Sequence, residues 1–482
     1  MDKNGEIEMK YVFMNKKVPV FLFTMDESGE YIEKINEIYD ISRLPVGIPV
    51  YSGIPDKARL NRWWKRRAIP DARKGLQAAL HELGVFSQYE LVVKSLGLSL
   101  TDQYWINPEG KLEWEKVNFF HNEFSNYVGD VLYSHSSFDT AKDLMSPCCT
   151  SDGNLLKKWI YRNGEQLLMK GGSGFYQEPY NEVLATAMHR RMDVVPYVEY
   201  WIENENGMPC SVCRNFVESS TEFVPAYYFL DLEKKSNDIS YYQHLLNLGE
   251  REGIEGLQEF LDYLLATDFL IANVDRHLNN FGFIRNVDTL KWSGIAPVFD
   301  SGNSLYFDKS EVRMDNGTLD VPSMPFKKWH SEQIKLIHSF EHIDIEKLKG
   351  LDEEFREIIR PSIDMPESRK DSLCKCLKNR LQMLEAEKER RVEKNKISVS
   401  QSDYYHIFKE AGYVPTDTLI SNLKKLNLLL GKTLSMQEVK EKYENLRTLS
   451  GKEKYYVKAI GEECIRQELS REQLLQSEIE IS

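Results

Sequence analysis

Asn273-Val274-Asp275-Arg276-His277-Leu278-Asn279-Asn280-Phe281-Gly282 is the densest polar cluster of the chain, and it stands directly behind an apolar helical pattern. That pattern is Leu257, Phe260, Leu261, Leu264, Leu265 and Phe269, whose i, i+3, i+4, i+7 spacing predicts a helix with a buried face. Twenty-five residues beyond Asp275 a second carboxylate, Asp300, follows the short apolar strand pattern Pro297-Val298-Phe299 and precedes Ser301-Gly302. Phosphoryl transfer needs such a set. One carboxylate orients the attacking hydroxyl and accepts its proton, while an amide and a second carboxylate hold magnesium on the phosphates.

Upstream, Trp159-Ile160-Tyr161 and Leu167-Leu168-Met169 flank Arg162-Asn163-Gly164-Glu165. Asn-Gly between apolar runs predicts a tight hairpin. Its second strand ends at Lys170, after which come Gly171-Gly172-Ser173-Gly174 and a helix announced by Pro179 in its first turn. Val183, Leu184, Ala187 and Met188 give that helix an apolar face. Lys170 supplies a fixed positive charge for phosphates, and Glu182 on the facing helix holds the ammonium in place. The glycine run follows the lysine rather than preceding it, so it reads as a flexible connection. Strands are expected over 198–202 and 211–217, around a second Asn-Gly at Asn206-Gly207. Beyond Gly253 the chain reads as mainly helical, with further helices over 334–340, 343–351 and 371–389 and a charged run at 385–396 that reads as a solvated face. Residues 404–411, 417–430 and 436–446 form a last helical set, and no repeat of fixed period is visible.

Composition bounds the rest. The 482 residues exceed what one core usually holds, so two or more domains are expected. A net charge of −13 opposes a surface built throughout for nucleic acid. Seven cysteines are too sparse for a disulfide framework and fit a reducing compartment. The first residues lack a secretory pattern, and no apolar run approaches the roughly 20 residues of a membrane span. The expectation is a soluble, cytoplasmic protein. Residues 9–131 open with Tyr11-Val12-Phe13 and Val18-Pro19-Val20-Phe21-Leu22-Phe23 around Asn15-Lys16-Lys17, a second hairpin signal. Residues 57–74 carry eight basic side chains against one acid, Asp71, with Trp63 and Trp64 in their midst. Two readings fit: a patch for phosphates, or a solvated helix whose long stems cover the tryptophans. Ser134-His135-Ser136-Ser137 and Ser146-Pro147 mark a polar inter-domain connection, with the next domain beginning near Cys149.

From about residue 150 to 389 the chain resembles the HipA-like protein kinases. Asp275-Arg276-His277-x-x-Asn280-Phe281-Gly282 followed by Val298-Phe299-Asp300 is similar to their catalytic loop and metal-binding aspartate. The phosphatidylinositol kinases share a similar Asp-Arg-His-x-x-Asn loop. The resemblance implies an α+β, two-lobed kinase fold with ATP between the lobes. Together with the polar connection and the charged run, it gives a β-rich small lobe with one helix (146–217) and a helical large lobe (218–396), flanked by an accessory α/β region (1–145) and a C-terminal helical extension (397–482) that lie outside the resemblance. It makes Asp275 the catalytic base, Asn280 and Asp300 the magnesium ligands, Lys170 the phosphate-binding lysine and Glu182 its partner. Cys213-Arg214-Asn215-Phe216 looks like the hinge that receives adenine. The loop reads Asp-Arg-His where typical eukaryotic protein kinases read His-Arg-Asp, Phe299-Asp300-Ser301-Gly302 replaces Asp-Phe-Gly, and no Gly-x-Gly-x-x-Gly precedes Lys170. A short loop with Gly153 stands there instead, and in this family such a loop carries a modifiable hydroxyl. Thr150 and Ser151 are the candidates, although Thr-Ser-Asp-Gly suits a plain polar turn equally well.

Other residues keep two readings. His277 either positions a phosphate or the Asp300 loop, or is a hydrogen-bonded structural histidine. Cys210-x-x-Cys213 invites zinc, but no second Cys or His pair stands nearby at ligand spacing. The resulting expectation is transfer of the ATP γ-phosphate to a protein Ser or Thr, with lipid and small-molecule acceptors sharing the same loop. The family resemblance also allows an antitoxin-like DNA-binding regulator as partner. The competing class is a nucleotide-binding scaffold that contacts a partner or nucleic acid through residues 57–74. Intact Asp275, Asn280 and Asp300 argue against it, since a scaffold does not need all three.

Overall fold

The computed structural model describes residues 9–134, 142–397, 401–449 and 451–481. The expected connection Ser134-His135-Ser136-Ser137 lies, from residue 135 to 141, outside the described residues. The chain forms two compact units, residues 1–382 and 383–482.

The first unit begins with an antiparallel sheet in the order β3-β2-β1-β6, from β1 (Lys10–Asn15), β2 (Val18–Met25), β3 (Ile32–Ile38) and β6 (Tyr104–Pro108). A two-residue pair, β4 (Val50–Tyr51) and β5 (Ile54–Pro55), lies between β3 and β6 in the chain. Tyr11, Phe13, Phe21 and Phe23 bury with Leu60, Trp63 and Trp64 of the Lys57–Lys65 helix. Helices Leu76–Leu83, Gln88–Lys94 and Tyr127–Ser134 close a second core around Trp105 and Trp114. The tail of the expected polar connection is itself core. Ser146 caps the 3-10 turn Pro147–Thr150, in which Cys148 and Cys149 are buried.

The next sheet has the order β7-β8-β10-β9, from β7 (Lys157–Arg162), β8 (Glu165–Lys170), β9 (Tyr200–Glu205) and β10 (Met208–Arg214). Both Asn-Gly signals are its hairpin turns. Asn163 and Gly164 have φ of 55° and 83°, Asn206 and Gly207 of 53° and 82°, the doubly positive pattern that matches the twist of the flanking strands. The Gln177–Met192 helix packs on β9 and β10. The strand expected over 211–217 ends at Arg214, because Asn215 turns the chain by accepting the Val217 N–H on its own side chain.

A third sheet joins β11 (Thr221–Pro225), which precedes the mainly helical stretch, to β12 (Gly282–Asn286) and β13 (Trp292–Ile295) within it, and anchors the exit of the Asp275 loop. The run before Asp300 makes only a bridge, Tyr197 to Val298. The expected helix over 334–340 is a short helix, His330–Gln333, and a 3-10 turn, Ile334–Leu336. Helix is refused beyond it because His338 and Ser339 give their N–H groups to the buried Asp262 carboxylate, at 2.7 and 2.8 Å. Residues 343–351 likewise form only the 3-10 turn Ile345–Leu348. Gly350, at φ 77°, then restarts the chain as the Leu351–Ile359 helix. The long Glu367–Ile397 helix leads into the second unit, where Gln401–Glu410, Asp417–Leu430, Met436–Glu444 and Gly451–Ile481 share a core around Phe408, Leu423 and Ile460.

Gly282 closes the Asp275 loop, and a Cβ there would stand 2.2 Å from the Val224 carbonyl oxygen of β11. Backbone cannot yield as a flexible side chain can. Gly282→Ala should therefore lower stability by about 1–3 kcal/mol, as overpacking does. Urea unfolding should show a lower midpoint with unchanged slope, and an unchanged midpoint would contradict the close approach.

Candidate active site

The Leu257–Leu270 helix ends where Ala272 takes a positive φ of 50°, and the polar loop starts one residue later. The loop is wound around one guanidinium. Arg276, 1% exposed, donates to Asp268 of the helix at 2.9 Å, to Asn280 O at 2.9 Å, to Phe299 O, and to Ser301 Oγ at 2.9 Å. Asn273 Nδ2 donates to Asp268 at 2.9 Å while its Oδ1 accepts the Asp275 N–H at 3.0 Å. His330 donates from Nε2 to Asn273 O at 2.9 Å, and burial pulls its imidazole down to about 3, so the ring is neutral.

This winding presents Asp275 and Asn280 on one side. Asp275 is partly exposed, and its Oδ2 accepts from Asn303 Nδ2 at 2.8 Å. Asn280 Nδ2 donates to Asp275 O at 2.8 Å, which leaves the amide oxygen as the atom available to a cation. His277 accepts the Asn279 N–H on Nδ1 and holds Nε2 at 3.9 Å from Asp275 Oδ1.

The small sheet supplies the opposing charges. Lys170, at the end of β8, donates to Glu182 of the Gln177–Met192 helix at 2.6 Å and also contacts Asp300. Burial pulls the Lys170 ammonium down, but Asp300 and Glu182 overcome it and hold the group well above the ordinary lysine range. Burial likewise opposes the Asp300 carboxylate, and Lys170 with Lys157 and Arg276 outweigh it, so the group stays ionised far below the usual range. Glu182 Oε2 also takes the Ser301 N–H at 2.8 Å. Asp300 itself sits at φ 57°, a strained conformation for a residue with a side chain.

One cleft of about 540 Å³ gathers these groups. Lys170, Gly153, Thr150, Ser151, Cys213, Asn215, Phe216, Asp275, His277, Asn280 and Asp300 all line it, and Glu182 stands behind Lys170. The N–H groups of Asn215 and Val217, in and beside the expected hinge, are already engaged, by Gln166 O at 3.0 Å and Asn215 Oδ1 at 3.1 Å. Phe216 meets Phe223 edge to face and Phe299 at a tilt, and the three rings form an apolar wall. Thr150 and Ser151 donate their hydroxyls to Leu98 O and Cys148 O, both at 2.9 Å. Cys210 and Cys213 belong to separate buried clusters, and no group of three His, Cys, Asp or Glu side chains among the described residues could hold a metal.

Two cleft residues escape sequence reading. Asn303 is one, its role set by a contact 28 residues away in the chain. Lys157 is the other; it pairs with Lys170 across the β7–β8 ladder and stands beside Gly153. Its signal was available, because the hairpin register read from Asn163-Gly164 places it opposite Lys170.

No family model matches the chain. In sequence it is 30% identical over 106 residues to the serine/threonine-protein kinase CtkA of Helicobacter pylori. That match takes in 21% of this chain and 32% of the relative, so the chain spans about a third of the length of the curated protein it matches. Among solved structures it is similar to the H. pylori proinflammatory kinase CtkA (TM-score 0.39, 18% identity, 50% of this chain and 95% of that one). It is also similar to HipA of Shewanella oneidensis MR-1, solved with HipB and operator DNA (TM-score 0.45, 12% identity, 78% of this chain and 96% of that one). The chain is similar to the HipA-like protein kinases. Its β-rich and helical parts, facing each other across a cleft with lysine and glutamate on one side and the Asp275 loop on the other, form a kinase-like fold.

Lys157 and Lys170 differ in a measurable way. Burial draws the Lys157 ammonium down to about 8, aided by Lys170 and Arg73 and opposed by Asp300. At pH 8 about half of its amines are neutral and nucleophilic, whereas Lys170 remains protonated. Peptide mapping after brief amine acylation should find Lys157 labelled well ahead of Lys170, with a rate that climbs as pH rises through 8. Equal labelling of the two would contradict this electrostatic picture.

Proposed function

We propose that the chain is an ATP- and magnesium-dependent protein kinase acting on Ser or Thr hydroxyls. The observation that carries this reading is the convergence of Asp275, Asn280, Asp300 and Lys170 on one cleft. The donor set fits the cofactor: a carboxylate and an amide oxygen are hard ligands, and magnesium takes one or two protein groups plus substrate phosphates rather than a full protein cage. When bound, magnesium neutralises phosphate charge. Asp300 and Asn280 would hold it, Lys170 would hold the phosphates, and Glu182 keeps that lysine placed. Asp275, steadied by Asn303, accepts the proton of the attacking hydroxyl. The apolar wall of Phe216, Phe223 and Phe299 suits a planar base. A protein acceptor is favoured by the serine/threonine kinase to which the chain is similar. A regulator of the antitoxin kind is proposed on the family resemblance alone.

No observation favours the scaffold reading, because the basic segment spends its charge internally. Arg59 pairs with Asp231 at 2.6 Å, Lys65 with Glu30 at 2.6 Å and Arg67 with Asp102 at 2.7 Å.

Asp275→Ala should abolish transfer while nucleotide still binds, since a base touches the hydroxyl and not ATP. Asp300→Ala should instead weaken magnesium-dependent binding. ATP affinity and transfer of labelled phosphate to a lysate, measured on both variants, separate the roles; near-normal turnover by Asp275→Ala would sink the kinase assignment.

The proposal extends to the loop. Because Thr150 and Ser151 donate inward here, phosphate can be added only once the loop has left this position. A group of roughly −1.5 to −2 charge then prevents its return beside ATP. Intact mass and peptide mapping after incubation with magnesium and ATP should find phosphate on one of the two in wild type and none in Asp275→Ala. An unmodified loop in protein that phosphorylates another substrate would refute self-modification alone.

A further inference from the structure

Arg73 lies 78 residues before Ser151, in the first region of the chain, yet every hydrogen bond its guanidinium donates goes to the glycine loop. Nη2 donates to Ser151 O at 2.6 Å, Asp152 O at 3.1 Å and Gly153 O at 2.8 Å. Nε adds Gly153 O at 3.0 Å, and Nη1 reaches Ser151 Oγ at 2.9 Å. The side chain is 3% exposed. A buried cation whose hydrogen bonds go to carbonyl dipoles, with no carboxylate among its hydrogen-bond partners, is a costly arrangement.

The loop it holds forms one wall of the cleft. Thr150, Ser151, Asp152, Gly153, Asn154 and Leu155 line the space, and Gly153 abuts the Lys157 ammonium. Arg73 is not among the lining residues. The three carbonyls are thus engaged by a side chain that is not part of the cleft lining, which leaves them less free to face phosphates there. Carbonyl oxygens repel phosphate oxygens, so removing three in succession makes this short loop hospitable to a polyphosphate without a Gly-x-Gly-x-x-Gly sequence.

We propose that Arg73 is a positioning residue for the phosphates of the bound nucleotide, supplied by the accessory region. This rests on the nucleotide reading above. Its signature is selectivity: loss of Arg73 weakens ligands that carry phosphates and spares those that do not. A general structural role weakens both.

The test uses the full chain and its Arg73→Ala and Arg73→Lys variants, with magnesium and either a non-hydrolysable ATP analogue or adenosine, followed by calorimetry. In Arg73→Ala the analogue should bind roughly tenfold more weakly, the scale of one charged hydrogen bond, with adenosine affinity unchanged. Arg73→Lys, which keeps charge but cannot span three carbonyls, should fall between. Added guanidinium at millimolar concentration should restore analogue binding in Arg73→Ala and do nothing for wild type. Unchanged analogue affinity, or an equal loss for adenosine, overturns the inference while leaving the nucleotide reading standing. Wild type that binds neither ligand overturns both. Should Arg73→Ala fail to fold, the analogue-to-adenosine ratio of Arg73→Lys decides: a ratio equal to wild type refutes the role.

Discussion

One buried guanidinium sets the geometry on which the cleft depends. Arg276 is removed from water, and an unpaired ion there would cost several kcal/mol. It escapes that cost by satisfying the end of a helix at Asp268, the end of its own loop at Asn280 O, and the approach to the second carboxylate at Phe299 O and Ser301 Oγ. The helix end, its following loop and a segment more than twenty residues further along are thereby fixed to one point. The Asp275 loop cannot drift without stranding a charge.

The small sheet faces this anchor with the opposite logic. Lys170 is held between Glu182 and Asp300; Lys170 and Asp300 line the cleft, and Asp300 is the most exposed of the three. Such a buried set adds little net stability, because desolvation offsets attraction. What it adds is placement: Asp300 is kept ionised, in a left-handed backbone conformation that would relax if Ser301 were released from Glu182. Strain of about 1–3 kcal/mol at such a position is held only where the surroundings over-determine it.

Legibility in the sequence follows the range of the interactions. The two Asn-Gly hairpins, the Leu257–Leu270 helix and the order of lysine, glutamate, acidic loop and aspartate are encoded locally, by turn chemistry and periodicity, and could be read there. What sequence reading missed was decided at a distance. Residues 343–351 look helical until Gly350 restarts the chain, and the helix over 334–340 loses its N–H groups to Asp262, more than seventy residues upstream. Asn303 and Arg73 are ordinary residues in sequence and acquire meaning only from partners across the fold. The strands β11 to β13 were hidden because β11 and β12 are separated by the helices that surround them.

The basic segment shows why charge counted along a chain misleads. Eight cations against one acid suggest a surface for phosphates. Folded, Arg59, Lys65 and Arg67 each meet a carboxylate from another part of the chain, and Arg73 turns to backbone carbonyls. Trp63 and Trp64 bury against the first sheet instead of standing out to stack on bases. Lys57, Arg62, Arg66 and Lys74 remain exposed, but Lys57 donates to Glu33 O at 3.0 Å and Arg66 lies over the ring of Tyr227 at 4.1 Å. Counterion release scales with the number of phosphates neutralised, so so few free cations give a weak and shallow salt dependence. Four of the eight cations that read in sequence as a surface for a polyanion are structural, and one of them, Arg73, holds the backbone of residues 151–153 beside the cleft.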